Sequence, residues 1–170
     1  ASVSQSPAIN PHDAAQAAAL LARDLRATRP VVTQELRLEL RDARHPLLMP
    51  LVSEALGTPR RISPDPVQVT VLVGPEAPVL VVSGPNTGGK TVALKTVGLL
   101  SLMAQCGLFI PAAEGSILPV FRRIYADIGD DQSIAENLST FSAHLANIVS
   151  MTRDRALPAL VLFDEIGAGT

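Results

Sequence analysis

Residues 84–91 form a glycine-rich segment whose pattern is typical of phosphate-binding loops. The pattern G-x-x-x-x-G-K-[ST] is matched at every fixed position by Gly84, Pro85, Asn86, Thr87, Gly88, Gly89, Lys90 and Thr91. Glycine allows the backbone to turn tightly, so that its N–H groups can converge on phosphate oxygens. In loops of this kind the lysine reaches the β- and γ-phosphates, and the hydroxyl group ligates Mg²⁺. The pattern predicts a nucleoside triphosphate and Mg²⁺ as ligands; the alternative is a glycine-rich turn without a ligand.

The segments that flank this loop have the composition of a strand and a helix. An apolar run precedes the loop and predicts a strand over residues 79–83. After the loop, apolar residues recur at helical spacing from Lys90 onward, and Gly107 is a typical helix end. The order strand, loop, helix is the context that the phosphate-loop pattern requires.

A pair of carboxylates supplies the other half of a candidate catalytic site. Asp164 and Glu165 directly follow the apolar run 159–163, which is typical of a strand buried on both faces. Open α/β sheets bind their ligands at the carboxyl ends of strands. We expect Asp164 to act on Mg²⁺, directly or through water, and Glu165 to orient and deprotonate the attacking water. The alternative is an ordinary acidic turn, which the presence of the phosphate loop disfavours.

Other polar residues carry weaker local signals. Ser139 and Thr140 stand at a predicted helix start, where hydroxyl groups can form an anion site. On the local sequence alone, simple helix capping is the better-supported interpretation. Gln132 lies in a polar loop. Cys106 lies in an apolar helical stretch and is predicted to be a buried structural thiol.

The remaining segments indicate an α/β fold. An alanine-rich helix is predicted from Asp13 to Arg29, where Pro30 stops it. Leucines alternate with charged residues over 35–41, which predicts a half-exposed strand. The other predictions are strands over 67–73 and 122–128, and loops over 44–66 and 111–119. Strands that alternate with helices are typical of an α/β sheet.

Composition limits the kind of partner this chain can have. The net charge is −2, the pI is about 5.9 and no basic run is present. The sequence therefore lacks the clustered positive charge with which proteins bind a nucleic-acid backbone. A single cysteine excludes an internal disulfide and suits a reducing cytoplasm. No apolar run approaches the roughly 18 residues of a membrane span. The missing initiator methionine and the last residues, 167–170, are interpreted as signs of a piece excised from a longer protein.

The order of the motifs is similar to that of the ATPase domain in the MutS superfamily. The segments that carry the resemblance are 43–48, 83–98, 126–134, 138–144 and 163–170. The phosphate loop and the stretch Ala-Asp-Ile-Gly-Asp-x-Gln-Ser-Ile resemble the second bacterial MutS type, which is linked to suppression of homologous recombination. Mismatch-repair members more often have Met at the position of Thr87 and Ser at that of Thr91. The resemblance covers about residues 36–170.

The resemblance implies a P-loop NTPase of the ABC-ATPase type, with a mixed sheet flanked by helices and a C-terminally incomplete domain. Residues 1–30 resemble the end of a helical lever region, and residues 31–170 a partial ATPase domain. Within that domain the expected parts are the phosphate loop at 84–91, the signature segment at 132–144 and the Walker B region at 160–165. Strands normally supplied after residue 170 would leave an exposed sheet edge or uncovered apolar surface.

The resemblance also implies a head-to-tail homodimer in which each ATP lies between two subunits. Ser139 and Thr140 match the segment that approaches the partner's γ-phosphate, and Gln132 matches a position that senses the metal or water. Val67 is implied to lie near the adenine, and Val92 completes the ATP-binding set.

The leading functional hypothesis is an ATP-hydrolysing, ADP-releasing core whose ATP state controls the grip of a MutS-type protein on branched DNA. DNA contacts and an endonuclease domain would lie outside this chain, in a cytoplasmic, nucleoid-associated protein. A second hypothesis keeps the ATPase but places it on stalled or collided ribosomes. A transporter or chromosome-structure ATPase is disfavoured because residues 137–141 do not match Leu-Ser-Gly-Gly-Gln. A module that binds nucleotide with negligible turnover is the non-enzyme alternative.

Overall fold

The computed structural model describes residues 10–55, 57, 67–84, 89–128, 149 and 156–164. Within these ranges it has three α-helices, one short 3-10 helix and six strands. The helices are α1 (Pro11–Asp24), the 3-10 helix Pro46–Leu48, α2 (Pro50–Ala55) and α3 (Lys90–Gln105). The strands are β1 (Val31–Thr33), β2 (Leu38–Arg44), β3 (Gln68–Val73), β4 (Ile117–Pro119), β5 (Arg123–Asp127) and β6 (Ala159–Phe163). The mixed α/β class is confirmed.

The larger sheet has four strands in the order β1-β4-β2-β3. β1 runs parallel to β4, whereas β2 runs antiparallel to both β3 and β4. The strand predicted from leucine alternation is therefore confirmed, with Leu38 and Leu40 buried and Leu36 exposed before the strand begins. The strand predicted over 67–73 is confirmed as β3.

A β-bulge in β2 keeps apolar side chains on the core face. The pairing steps from Leu40 opposite Val71 to Ala43 opposite Val69, so β2 contains one more residue than its partner. Asp42 adopts a left-handed φ of 48° at this point, a conformation that aspartate tolerates. The extra residue resets the alternation, and the fully buried Ala43 faces the core in place of Asp42.

Strands β5 and β6 form a second, two-stranded parallel sheet. Both strands are confirmed, but the described strands form two sheets where one mixed sheet was expected. The expected burial of β6 on both faces is wrong. Leu162 lies against Gly98 of α3 and is buried, whereas Val161 on the opposite face of the strand is 42% exposed.

The strand expected over residues 79–83 is also wrong. These residues belong to no described strand, and the side chains of Val79 and Val81 are 75% and 81% exposed. A strand exists through hydrogen bonds to a neighbouring strand, and a β-prone sequence does not supply that neighbour.

Helix α3 confirms the helix predicted after the loop. It contacts β2 and β4 of the larger sheet and β6 of the smaller one. Its end is also as predicted. Gly107 takes the left-handed φ of 78°, its N–H donates to the Ala104 carbonyl, and Leu108 N–H donates to the Met103 carbonyl.

Helix α1 begins with Asn10 as its cap and ends at Asp24, five residues before the predicted end at Arg29. The chain leaves the helix because the next segment packs into the domain. Leu25 is 1% exposed, Arg26 has a positive φ of 46°, and Thr28 pairs with Ile110. Helix α1 itself has no buried residue.

Two smaller predictions need correction. The thiol of Cys106 is exposed, because Cys106 caps the end of α3 and does not lie on its packed face. The predicted loops over 44–66 and 111–119 contain the 3-10 helix, α2 and β4. No helix in the described ranges is long and apolar enough to cross a membrane.

Candidate functional site

The described C-terminal end of the phosphate loop runs directly into the first turn of α3. Gly89 is the N-cap residue, with a left-handed φ of 77°, and it provides no side-chain cap. Its carbonyl accepts from Ala93 N–H at 2.8 Å, which starts the helical pattern. A helix N-terminus that is not capped by a side chain offers its first amides and its positive dipole end to an anion.

Lys90 joins the two ends of the phosphate loop. Its Nζ donates to the carbonyl oxygen of Gly84 at 2.5 Å, across six positions of the chain. The ammonium group therefore lies at Gly84, the first residue of the segment that the sequence assigns to phosphate. The predicted nucleotide-binding residues Pro85, Asn86, Thr87 and Gly88 lie outside the described residues.

Thr91 and Asp164 meet across 73 positions of the sequence. Thr91 Oγ1 donates to Asp164 Oδ2 at 2.5 Å in a partly buried setting. The contact brings the phosphate-loop hydroxyl to the carboxylate that follows β6. Mg²⁺ prefers hard oxygen ligands and keeps several waters, so one hydroxyl and one carboxylate fit its chemistry.

The smaller sheet fixes the backbone of Asp164. Asp164 lies one residue beyond β6, and its N–H donates to the carbonyl of Asp127 at the end of β5, at 3.1 Å. This hydrogen bond continues the β5–β6 ladder past its last strand pair, Asp127 and Phe163. The carboxylate is thus held at the carboxyl end of two parallel strands, as the sequence predicted for a ligand-facing position.

Gly98 is a position that sequence reasoning did not single out. A Cβ atom placed on Gly98 would lie 2.8 Å from Leu162 Cδ1, closer than real Cβ contacts. Helix α3 therefore lies against β6 at a distance that glycine allows. The available signal was an isolated glycine inside a helical pattern, which often marks close packing.

Val67 lies beside the described end of the loop. A Cβ atom placed on Gly89 would be 3.7 Å from Val67 Cγ1, an ordinary van der Waals distance. Val67 is 50% exposed, so it offers an apolar surface next to the loop. Val92 follows Thr91 in the first turn of α3 and is half-buried.

His45 lies near the same helix and has a perturbed pKa. Burial lowers the pKa of His45, and the positive charge of Lys95 on α3 lowers it further. His45 Nδ1 accepts from Leu47 N–H at 3.3 Å and starts the 3-10 helix. On β2, hydrogen bonds from Arg41 and Arg37 lower the pKa of Glu39.

Besides residues 85–88, four predicted site residues lie outside the described residues: Glu165, Gln132, Ser139 and Thr140. The described part of the site therefore consists of the loop ends, the first turn of α3, Val67 and Asp164. It places an ammonium group at the start of the loop and a hydroxyl next to a carboxylate, groups that suit a phosphate and a divalent metal ion.

Comparison with known proteins identifies a family that this chain resembles. Residues 80–170 match the family model of MutS domain V. A protein named Endonuclease MutS2 from Lactobacillus helveticus is 49% identical over 158 residues, which cover 93% of this chain. Proteins of the same name from Geobacillus sp. and Bacillus cytotoxicus are 51% and 50% identical over 154 residues, or 91% of this chain. The chain spans about 18% of the length of each of these relatives.

Proposed function

Because this chain belongs to the MutS family, we propose that it is the ATP-binding and ATP-hydrolysing core of a MutS-type DNA-binding protein. The observation that carries the proposal is the hydrogen bond from Thr91 to Asp164. It joins a phosphate-loop hydroxyl to a carboxylate at the end of a strand, the pair of groups that a nucleotide-bound Mg²⁺ requires in P-loop proteins.

In this proposal each residue has a role that its chemistry supports. Residues 84–91 bind the phosphates, and Lys90 places its positive charge on the β- and γ-phosphates. Thr91 and Asp164 hold Mg²⁺, which when bound neutralises charge on the phosphate oxygens. Glu165 accepts a proton from the attacking water. Val67 and Val92 contribute to ATP binding, Val67 beside the adenine.

The relatives support a finer proposal, that this chain is of the second bacterial MutS type. We place it in a protein that suppresses homologous recombination, with ATP driving closure of a head-to-tail homodimer on branched DNA. Ser139 and Thr140 then contact the nucleotide of the partner subunit, and Gln132 senses the metal or water. The net charge of −2 supports a protein whose DNA contacts lie in regions outside these residues.

Replacing Glu165 tests whether the chain is an enzyme. Glu165→Gln and Glu165→Ala should bind ATP with wild-type affinity and lower the turnover rate about 10²- to 10⁴-fold, the range for loss of a general base. The measurements are phosphate release and binding of a fluorescent ATP analogue. Glu114→Gln, which removes a carboxylate from an exposed turn, is the control and should retain full turnover.

Each result has a clear meaning. Wild-type protein that binds ATP with Mg²⁺ but releases no phosphate would identify a nucleotide-binding module. Wild-type protein that binds no ATP would overturn the proposal as a whole.

A further inference from the structure

Helix α3 packs tightly against β6 at Gly98. Gly98 is buried, and Leu162 on the facing strand is 5% exposed. Any side chain at position 98 would have its Cβ 2.8 Å from Leu162 Cδ1. Glycine in a helix interior lowers helix stability relative to alanine, so a glycine within α3 indicates a packing requirement that alanine does not meet. The short distance to Leu162 is that requirement.

The same two elements meet at a second point, the hydrogen bond between Thr91 and Asp164. Thr91 and Gly98 are seven residues apart on α3, so they lie on one helix face with a drift of only about 20°. Leu162 and Asp164 are two residues apart, a spacing that places side chains on one face of an extended chain. The packing contact and the hydrogen bond therefore belong to one surface between α3 and β6.

We propose that Gly98 is a positioning residue for the metal site. It lets α3 lie close enough to β6 for the Thr91 hydroxyl and the Asp164 carboxylate to bind one Mg²⁺ ion. The proposal rests on the proposed nucleotide and Mg²⁺ site. The Cβ of a side chain at position 98 would displace the end of the Leu162 side chain. Because Leu162 is 5% exposed, we expect α3 to take up part of that displacement, so that the gap between Thr91 and Asp164 widens. In the proposed function residues 84–91 alone bind the phosphates, so we expect nucleotide binding without metal to be independent of position 98.

The test separates metal-dependent from metal-independent nucleotide binding. The affinity for a fluorescent ATP analogue is measured with Mg²⁺ and with EDTA, and the ratio of the two affinities is the gain due to the metal. The variants are Gly98→Ala, Leu162→Val and the double substitution. Leu162→Val removes the Cδ1 atom that an alanine at position 98 would meet. Gly74→Ala is the matched control, because a Cβ at Gly74 meets nothing within 4 Å.

We expect Gly98→Ala to lower the metal-dependent gain about tenfold, as for other residues that orient metal ligands. Its affinity in EDTA stays at the wild-type value, and the double variant regains most of the metal-dependent gain. Gly74→Ala leaves both affinities unchanged. Thermal unfolding of each variant shows that the protein is folded. If Gly98→Ala does not fold, the double variant provides the test: it must fold and bind the ATP analogue with most of the wild-type gain due to the metal.

Three outcomes would overturn the role of Gly98 while wild-type protein still binds nucleotide with Mg²⁺. The first is a Gly98→Ala variant with the wild-type gain. The second is an equal loss of affinity with and without the metal, which indicates a general structural effect. The third is a folded double variant without the gain. Wild-type protein that shows no nucleotide binding would instead overturn the proposed function on which this inference rests.

Discussion

Thr91 Oγ1 donates a hydrogen bond to Asp164 Oδ2 at 2.5 Å, although the two residues are 73 positions apart. Each side chain is held by a different element. Thr91 lies in the first turn of α3, and the backbone of Asp164 is tied to the end of β5 through the Asp127 carbonyl. The hydrogen bond between these two residues therefore depends on how α3 packs against the smaller sheet. It is also the part of the proposed site that metal-dependent measurements can probe.

Removal of the Thr91 hydroxyl should abolish most of the effect of Mg²⁺ on nucleotide affinity. Thr91→Val keeps the shape of the side chain but loses the oxygen that would bind the metal, so we expect about a tenfold or larger loss of metal-dependent affinity. Thr91→Ser keeps the hydroxyl and should remain close to wild type. Titration of a fluorescent ATP analogue with and without Mg²⁺ measures the difference. Equal behaviour of the Val and Ser variants would contradict the role of the hydroxyl.

Loss of the Lys90 ammonium should weaken nucleotide binding both with and without metal. A charge-assisted hydrogen bond contributes about 1.5–3 kcal/mol, so Lys90→Ala should lower affinity by about 10- to 100-fold. Lys95→Ala removes the same charge from an exposed position on the same helix, and it should have little effect. Calorimetric titration with ATP provides both numbers. Unchanged affinity in Lys90→Ala would refute the assignment of residues 84–91 to phosphate.

His45 should make the stability of the domain depend on pH below neutrality. Burial and Lys95 lower the pKa of His45 from its ordinary value of 6.5, so the unfolded chain binds the proton more readily than the folded one. The free energy of unfolding should consequently decrease as the pH falls from 6.5 toward the lowered pKa of the folded state. Above 6.5 this contribution is fully present.

Urea unfolding at a series of pH values measures this effect. His45→Gln should flatten the dependence below pH 6.5, because the titrating group is removed. His12→Gln, at an exposed position on α1, is the control and should leave the dependence as it is. If the two variants show the same slope, His45 is not the group responsible.

ATP should control self-association if the head-to-tail dimer forms through the nucleotide. Glu165→Ala, which blocks the proposed proton transfer to the enzyme, should form a dimer with ATP and Mg²⁺ and remain a monomer without nucleotide. Light scattering distinguishes the two states by mass. ADP is the matched control and should not support the dimer. A protein that binds ATP but stays monomeric would count against the nucleotide sandwich and the role of Ser139 in the partner's site.

The sequence alone predicted the parts of the site that depend on local chemistry. Helix α3 and its end at Gly107 were predicted correctly, because helical hydrogen bonds connect residues four apart and a left-handed glycine ends them. The strands β3, β5 and β6 were predicted from runs of β-prone residues. The choice of Asp164 as a partner of the phosphate loop came from a rule about where sheets bind ligands, and the structure brings Asp164 to Thr91.

The tertiary structure decided what depends on distant partners. Residues 79–83 have the composition of a strand, yet they are not paired in any described strand, because pairing requires a neighbouring backbone that composition does not specify. Helix α1 stops at Asp24 because Leu25 is buried in the core and Thr28 pairs with Ile110, features that a helical pattern cannot anticipate. The close approach at Gly98 depends on the shape of Leu162, 64 positions further along the chain. Local sequence thus predicted which residues bind a phosphate, and packing between α3 and β6 decided that the hydroxyl and the carboxylate meet.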